Sequence, residues 1–195
     1  MLHALRRLGV LSACCLTLFG GEALAKEVAV IHPYQQSESS SVLHERLAAA
    51  APDLDRRVLG TAIDAMQCAV AGAAKPAERL AVIDFSLPST EQRLWIFDLK
   101  HHRLLLQDLV AHGQGSGDNY ARQFSNVEGS HQSSIGLFRI QESYIGQHGY
   151  SLRMAGLGPG FNDLARQRAI VIHPADYVDP SWISRHGRIG RSHGC

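Results

Sequence analysis

The chain has 195 residues, of which 45% are hydrophobic and 19% are charged, and its formal net charge is +1. This length and composition predict a globular domain with its own core, and the small charge gives no reason to expect nucleic acid as a partner. Since Cys14 and Cys15 lie near the N-terminus, only Cys68 and Cys195 remain further along, and a disulfide-stapled fold is not expected.

The first 25 residues are predicted to be a signal peptide. Arg6 and Arg7 form a positive segment, residues 8–19 form an apolar stretch, and Ala23-Leu24-Ala25 offers the small residues of a cleavage site. The stretch is shorter than the roughly 20 residues that a membrane span needs. We therefore expect an exported protein of the periplasm or cell envelope, without a stable membrane span in its mature form; lipoprotein processing at Cys14 is the alternative.

Residues 26–78 are predicted to form a polar connector followed by a helical region. A first helix is expected from Ser41, after a serine cap, and should end at Pro52. A second helix, which would contain Cys68, is expected from about Asp53 because apolar residues recur there at helical spacing. Residues 72–78 contain glycine and proline and are the predicted domain boundary.

Residues 79–195 are predicted to form a mainly β domain, so the fold class of the chain is mainly β, or α+β. Residues 113–134 form a long polar loop, and loops of that length inside a compact domain are usually functional. A short helix is expected from Pro180, capped by Asp179 and closed by Gly187. The predicted strands are 80–85, 93–99, 104–111, 135–140 and 169–172, the second and third of them joined as a hairpin.

The candidate chemistry centres on Cys195, in the run Ser192-His193-Gly194-Cys195. A thiolate is the attacking species, and an unassisted thiol is mostly protonated near neutral pH, so a base is needed. His173, at the end of a predicted strand, is the candidate base, and a carboxylate or a backbone carbonyl must hold its second nitrogen. Backbone N–H groups of the loop around Gly194 are candidate oxyanion donors. The alternatives are an ordinary turn with an inert cysteine and a disulfide to Cys68.

A histidine followed, after a gap, by Ser-His-Gly-Cys resembles the signature of the YkuD-type L,D-transpeptidases. Residues 81–195 resemble more closely the branch known as the murein L,D-transpeptidase catalytic domain family. The runs that carry this resemblance are Ile83-Asp-Phe-Ser-Leu-Pro-Ser-Thr90, Val110-Ala-His-Gly113, Phe124-Ser-Asn126, Gln132-Ser-Ser-Ile-Gly136, Ser151-Leu-Arg153, Gly160-Phe-Asn-Asp163 and Gly190-Arg-Ser-His-Gly-Cys195.

The resemblance implies a YkuD-like mixed β-sheet or sandwich catalytic domain preceded by a short helical extension. It implies that Cys195 attacks the peptide bond after a diaminopimelate residue of a peptidoglycan stem peptide, and that the acyl group then passes to an amine of a neighbouring stem. His173 would be the base, oriented by the backbone carbonyl just after it, while His193 and Gly194 would shape the oxyanion side. Hydrolysis of the same acyl-enzyme, as an L,D-carboxypeptidase or amidase, is one alternative, and a non-catalytic peptidoglycan-binding relic is another.

Two departures from the family pattern stand out. Pro174 follows the candidate base, where many relatives have glycine. Relatives also continue beyond the position of Cys195, so we expect the catalytic domain of residues 79–195 to be truncated at its C-terminus.

Five further residues are candidates for contact with the substrate: His112, Asn126, Arg153, Arg191 and Ser192. The arginines could bind a stem-peptide carboxylate, but a surface charge is the favoured interpretation of Arg153, whereas Arg191, beside the motif, fits either role. His112 could instead hold the long loop by a hydrogen bond. Eleven histidines raise the question of zinc. No metal or other cofactor is expected, because the chain contains no His-x-x-x-His or Cys-x-x-Cys pair.

Overall fold

The computed structural model describes residues 39–72 and 76–194. The predicted signal peptide, nearly all of the connector and Cys195 lie outside the described residues. The helices and strands are, in chain order, α1 (Ser40–Ala50), α2 (Arg56–Ala71), β1 (Arg79–Ile83), β2 (Leu94–Asp98), β3 (Arg103–Asp108), β4 (Phe138–Gly146), β5 (Gly149–Gly156), β6 (Val171–Ile172) and α3 (Pro180–His186).

Side-chain caps fix where the helices begin. Ser39 accepts a hydrogen bond from the backbone N–H of Val42, and Asp55 accepts one from that of Arg57, which satisfies N–H groups that the first turn of a helix leaves without partners. Helix α3 is capped by Asp179, starts with Pro180, and ends at Gly187, whose φ of 73° is left-handed. The three helices predicted from the sequence are thus confirmed, with starts shifted by up to three residues.

The first sheet has the strand order β1-β2-β3, with both pairs antiparallel. Val82 lies opposite Trp95 and Phe97 lies opposite Leu104. Alternate side chains point into the core, so Trp95 and Phe97 are buried while their neighbours are half-buried. The predicted hairpin between the second and third strands is confirmed.

Helices α1 and α2 and the first sheet share one hydrophobic core. The two helices cover the sheet with apolar residues spaced three and four apart, and the helical region therefore packs together with the β residues that follow it. The buried members of this core are Leu43, Leu47, Ala48, Ala51, Leu54, Leu59, Ile63, Leu80, Val82, Trp95 and Phe97.

The second sheet has the strand order β4-β5-β6, also antiparallel. The strand predicted at 135–140 begins at Phe138 and continues to Gly146, and β5 was not predicted. The strand predicted at 169–172 is only Val171–Ile172, because Ala169 has a φ of 55° and belongs to a turn. The result is a mixed α+β fold with two small sheets. Among the described residues no helix has the length and apolar character that a membrane crossing requires.

Candidate active site

Three segments of chain meet where the terminal motif begins. The N–H of Ser192 donates to the carbonyl oxygen of His112 at 3.0 Å, and the N–H of Gln114 donates to the carbonyl oxygen of Ser192 at 2.8 Å. Gly113 lies between these two bonds, and a Cβ atom there would be 2.3 Å from the carbonyl oxygen of His131 and 2.9 Å from the Cα of Gly194. Only glycine fits at this crossing, and the motif is therefore held directly against the start of the long loop.

Buried serines order the long loop. The hydroxyl oxygen of Ser133 accepts from the N–H of Gly113 at 2.9 Å, and the N–H of Ser133 donates to the hydroxyl of Ser116, also at 2.9 Å. Both serines are buried. Because the loop satisfies its polar groups internally, it can hold a fixed shape beside the motif without regular secondary structure.

Arg168 connects this loop to the segment that leads into β6. Its guanidinium donates to the hydroxyl of Ser134 at 2.6 Å, to the hydroxyl of Ser130 at 3.1 Å and to the carbonyl oxygen of Gln132 at 2.8 Å. Its Nη2 atom would lie 3.8 Å from a Cβ atom built on Gly194. Arg168 could not be predicted as part of the site, since an isolated arginine before a strand has no periodicity that would mark it as half-buried.

His173 follows β6 directly, so the sheet presents it from a rigid edge. Leu152 of β5 pairs with Ile172, the residue before it. The Nδ1 atom of His173 lies 2.8 Å from the carbonyl oxygen of Pro174. Because a carbonyl can only accept, Nδ1 carries the hydrogen in the neutral ring and Nε2 is left with its lone pair. The carbonyl in this contact belongs to the residue just after His173, and proline supplies it as well as glycine would.

The motif residues His193 and Gly194 differ in exposure. The His193 ring is exposed and meets the His131 ring edge to face, with 5.2 Å between the ring centroids. Gly194 is buried and has a φ of 122°, which favours glycine. Its N–H donates to the hydroxyl of Ser192 at 3.2 Å, so this N–H has an internal partner in the structure.

His112 is fully buried and has a protein partner for each ring nitrogen. Nδ1 lies 2.8 Å from Nη2 of Arg93, and Nε2 lies 3.4 Å from the carbonyl oxygen of Gly117. Burial lowers the pKa of His112, and the positive charge of Arg93 lowers it further. These contacts agree with the alternative interpretation in which His112 holds the loop.

The other candidates for substrate contact have partners within the protein. Arg191 donates to the carbonyl oxygen of Gly117 at 3.0 Å and lies 3.7 Å from Asp118. Arg153 lies 3.3 Å from Glu142 and over the Tyr144 ring. Asn126 donates to Asp163 at 2.8 Å and accepts from the N–H of Leu164 at 3.1 Å. The structure thus brings Arg191, Ser192 and His112 together around the motif, whereas Arg153 pairs within the second sheet and Asn126 with the turn at 163–164.

No group of three or more His, Cys, Asp or Glu side chains within residues 39–72 and 76–194 is placed to hold a metal ion.

Comparison with known protein families finds a match. Residues 50–195 match the family described as the L,D-transpeptidase catalytic domain. The matched range begins at the end of α1 and includes α2, both sheets and the terminal motif. Curated proteins and solved structures give no match.

Proposed function

The chain belongs to the L,D-transpeptidase catalytic domain family, and on that premise we propose that it transfers acyl groups between peptidoglycan stem peptides through a thioester on Cys195. The donor would be a stem peptide containing diaminopimelate, and the acceptor an amine of a neighbouring stem. The observation that carries the proposal is the hydrogen bond from His173 Nδ1 to the carbonyl of Pro174, which leaves Nε2 as a proton acceptor.

In the first half of the proposed reaction, His173 Nε2 takes the proton of the Cys195 thiol, and the thiolate attacks the donor carbonyl carbon. The C–N bond then breaks, and the imidazolium returns the proton to the leaving amine. An uncharged tautomer with a fixed Nδ1–H is the form required at the start, because it can accept a proton without the ring turning. The product is a thioester, and no oxidant or reductant is needed.

In the second half, the acceptor amine attacks the thioester carbonyl, loses its proton to His173, and releases Cys195.

The two glycines of the site support this proposal. Gly113 allows the long loop to approach to within van der Waals contact of Gly194, and the conformation of Gly194 brings the backbone before Cys195 close to the loop at Gln132. The choice between an amine and water as the acceptor depends on how far the acceptor groove excludes water.

The proposed substrate lies outside the cytoplasm, so the proposal also requires export. The predicted signal peptide at residues 1–25 would provide it.

The direct test is acylation by a carbapenem, a β-lactam class that the family's thiol accepts. The intact mass of the protein should increase by one adduct, and Cys195→Ala should abolish the increase. Cys68 provides the matched control, because it is an exposed free thiol on α2, and Cys68→Ser should leave the adduct unchanged. No adduct on the folded protein, or an adduct that depends on Cys68, would contradict the proposal. Incubation with tetrapeptide muropeptides then separates cross-linked dimers from trimmed stems, which distinguishes transfer from hydrolysis.

A further inference from the structure

The β4–β5 hairpin ends in a two-residue turn, Gln147-His148, since Gly146 pairs with Gly149 across it. The imidazole ring of His148 stacks on that of His173, with ring centroids 4.6 Å apart and an angle of 26° between the planes. Neither the motif nor the runs that carry the family resemblance include His148. A histidine at the tip of an exposed hairpin gives no signal in the sequence.

The sheet explains why these two rings meet. Leu152 of β5 pairs with Ile172 of β6, so the chain that continues past Ile172 runs beside the start of β5 and the turn that precedes it. Gly149, with a φ of 83°, completes that turn, and a Cβ atom built on it would lie 3.8 Å from Cγ of Pro174. The hairpin tip therefore lies beside Pro174, the strand that follows the tip pairs with Ile172, and backbone hydrogen bonds set the register of this pairing.

The contacts of His173 leave its ring plane only partly fixed. Its Nδ1 hydrogen bond goes to the next residue in the chain, which fixes one ring atom while rotation about the bonds to the ring remains possible. The stacked ring closes one face of His173 and limits that rotation. His148 is exposed, and within the described residues its ring nitrogens have no hydrogen-bond partner, so the flat face is what it offers to His173.

From this geometry we infer that His148 is a positioning residue for the base, acting through its ring face and not through its nitrogens. The inference rests on the proposed function, in which His173 is the base. An imidazole held in one plane presents Nε2 in a constant direction, and such alignment is worth a measurable factor in rate. If the interaction free energy of an aromatic pair is lost from the transition state, the rate changes roughly three- to tenfold.

Two substitutions separate the ring face from the nitrogens. His148→Ala removes the stack, and acylation of the protein by a carbapenem should become about three- to tenfold slower. His148→Phe keeps a flat ring without nitrogens and should restore the rate to within about twofold of the original. His186→Ala is the matched control, because His186 is also an exposed histidine packed against an aromatic ring, that of Trp182, with 4.9 Å between the ring centroids and 43° between the planes, and it should not change the rate.

The maximal rate of acylation should fall in His148→Ala while the concentration of half-saturation stays the same, since the residue acts on the base and not on the substrate. Far-UV circular dichroism should show that each variant is folded. A rate of His148→Phe as low as that of His148→Ala would overturn the inference, because the nitrogens would then be required. An unchanged rate in His148→Ala, or a change confined to half-saturation, would also overturn it.

Failure of the proposed function gives a different result. If the original protein forms no carbapenem adduct, the effect of His148 is measured by the rate at which iodoacetamide alkylates Cys195, followed by peptide mapping that separates it from Cys68. That rate depends on ionisation of the thiol by its base, and it should show the same order, with His148→Ala slow and His148→Phe restored. Equal alkylation rates in all variants would overturn the inference on its own.

Discussion

At the scale of single residues, a buried arginine determines the charge and the tautomer of a buried histidine. Arg93 is completely buried, and it donates to the carbonyl oxygens of Leu87 and Val110 as well as to His112. Burial lowers its pKa to about 10, which still leaves it charged at neutral pH. Since a guanidinium cannot accept a hydrogen bond, His112 must accept at Nδ1 and carry its hydrogen on Nε2. His112 is therefore neutral in the folded protein and fixed in one tautomer.

The lowered pKa of His112 predicts a loss of stability in mild acid. The unfolded chain takes up the proton as the pH falls through about 6.5, the ordinary histidine value, whereas the folded protein does so only at lower pH. Acid therefore favours the unfolded state, and the stability present above pH 6.5 declines below it. Urea unfolding between pH 7.5 and pH 5.5 should show this decline, and His112→Asn should make it smaller, even if the variant is less stable at every pH. His186→Asn, an exposed control, should show the same decline in unfolding free energy between pH 7.5 and pH 5.5 as the original protein. An equal decline in His112→Asn and in the original protein would contradict the role given to His112.

At the scale of structural elements, the part of the site that holds the terminal motif is a crossing of three irregular segments. Residues 112–114, 131–133 and 192–194 are joined by backbone and serine hydrogen bonds. His131 has a φ of 54°, which is uncommon for a residue other than glycine. Backbone strain of this kind persists only where the surrounding structure holds it. Here two hydrogen bonds hold it, one from the N–H of Gly115 to the carbonyl oxygen of His131 and one from Arg168 to the carbonyl oxygen of Gln132.

This crossing predicts that Gly113→Ala separates the loop from the motif. The added methyl group would meet backbone atoms of His131 and Gly194, which cannot move aside as a flexible side chain could. We expect a loss of about 1–3 kcal/mol in unfolding free energy and a loss of roughly tenfold or more in the rate of carbapenem acylation.

Gly72→Ala is the matched control for that substitution. At Gly72 a methyl group would make ordinary contacts of 3.5 Å with helix carbonyls, and the φ of −81° suits alanine. Stability should change by about 0.5 kcal/mol or less and acylation should be unaffected. If Gly113→Ala is acylated as fast as Gly72→Ala, the crossing does not position the motif.

At the scale of the whole molecule, the helices and the first sheet form one core. Leu47 and Leu59 are completely buried among the core residues that also include Trp95 and Phe97. The match to the family begins at residue 50 and so includes α2. The sequence placed a domain boundary at residues 72–78, where glycine and proline interrupt the helix. The shared core predicts that the two sides of this segment unfold together.

Leu59→Ala tests this cooperativity. Removal of a fully buried leucine side chain should lower the free energy of unfolding by about 2–5 kcal/mol. The loss of α-helix, measured by circular dichroism, should coincide with the change in tryptophan fluorescence, because Trp95 lies on the sheet side of the same core. Val42→Ala is the control, since Val42 is 43% exposed on α1, and it should cost about 0.5 kcal/mol or less. Two separate transitions in Leu59→Ala would show that the helical region and the sheet are independent.

The elements that the sequence predicted well are those with local signals. Asp179-Pro180 and Gly187 mark α3 by capping, and the alternation around Trp95 marks β2. The predictions failed where a strand has no such signal. Strand β5 begins at Gly149, alternates weakly, and depends on pairing with β4; β6 is two residues long because Ala169 takes a left-handed conformation that no residue type there announces.

The sequence alone identified His173 and the Ser192-His193-Gly194-Cys195 run as the candidate site, since a thiol nucleophile needs a base and the order of residues matches a family. The tertiary structure alone decided which side chains surround that site. Arg168 binds the long loop beside the motif, and His148 stacks on His173, although both come from distant segments of the chain. His112, a candidate for substrate contact, is buried and hydrogen-bonded to Arg93. The physical reason is that chemical function selects residue types that are visible in one sequence, whereas contacts between distant segments arise from strand register and loop closure, which no local pattern encodes.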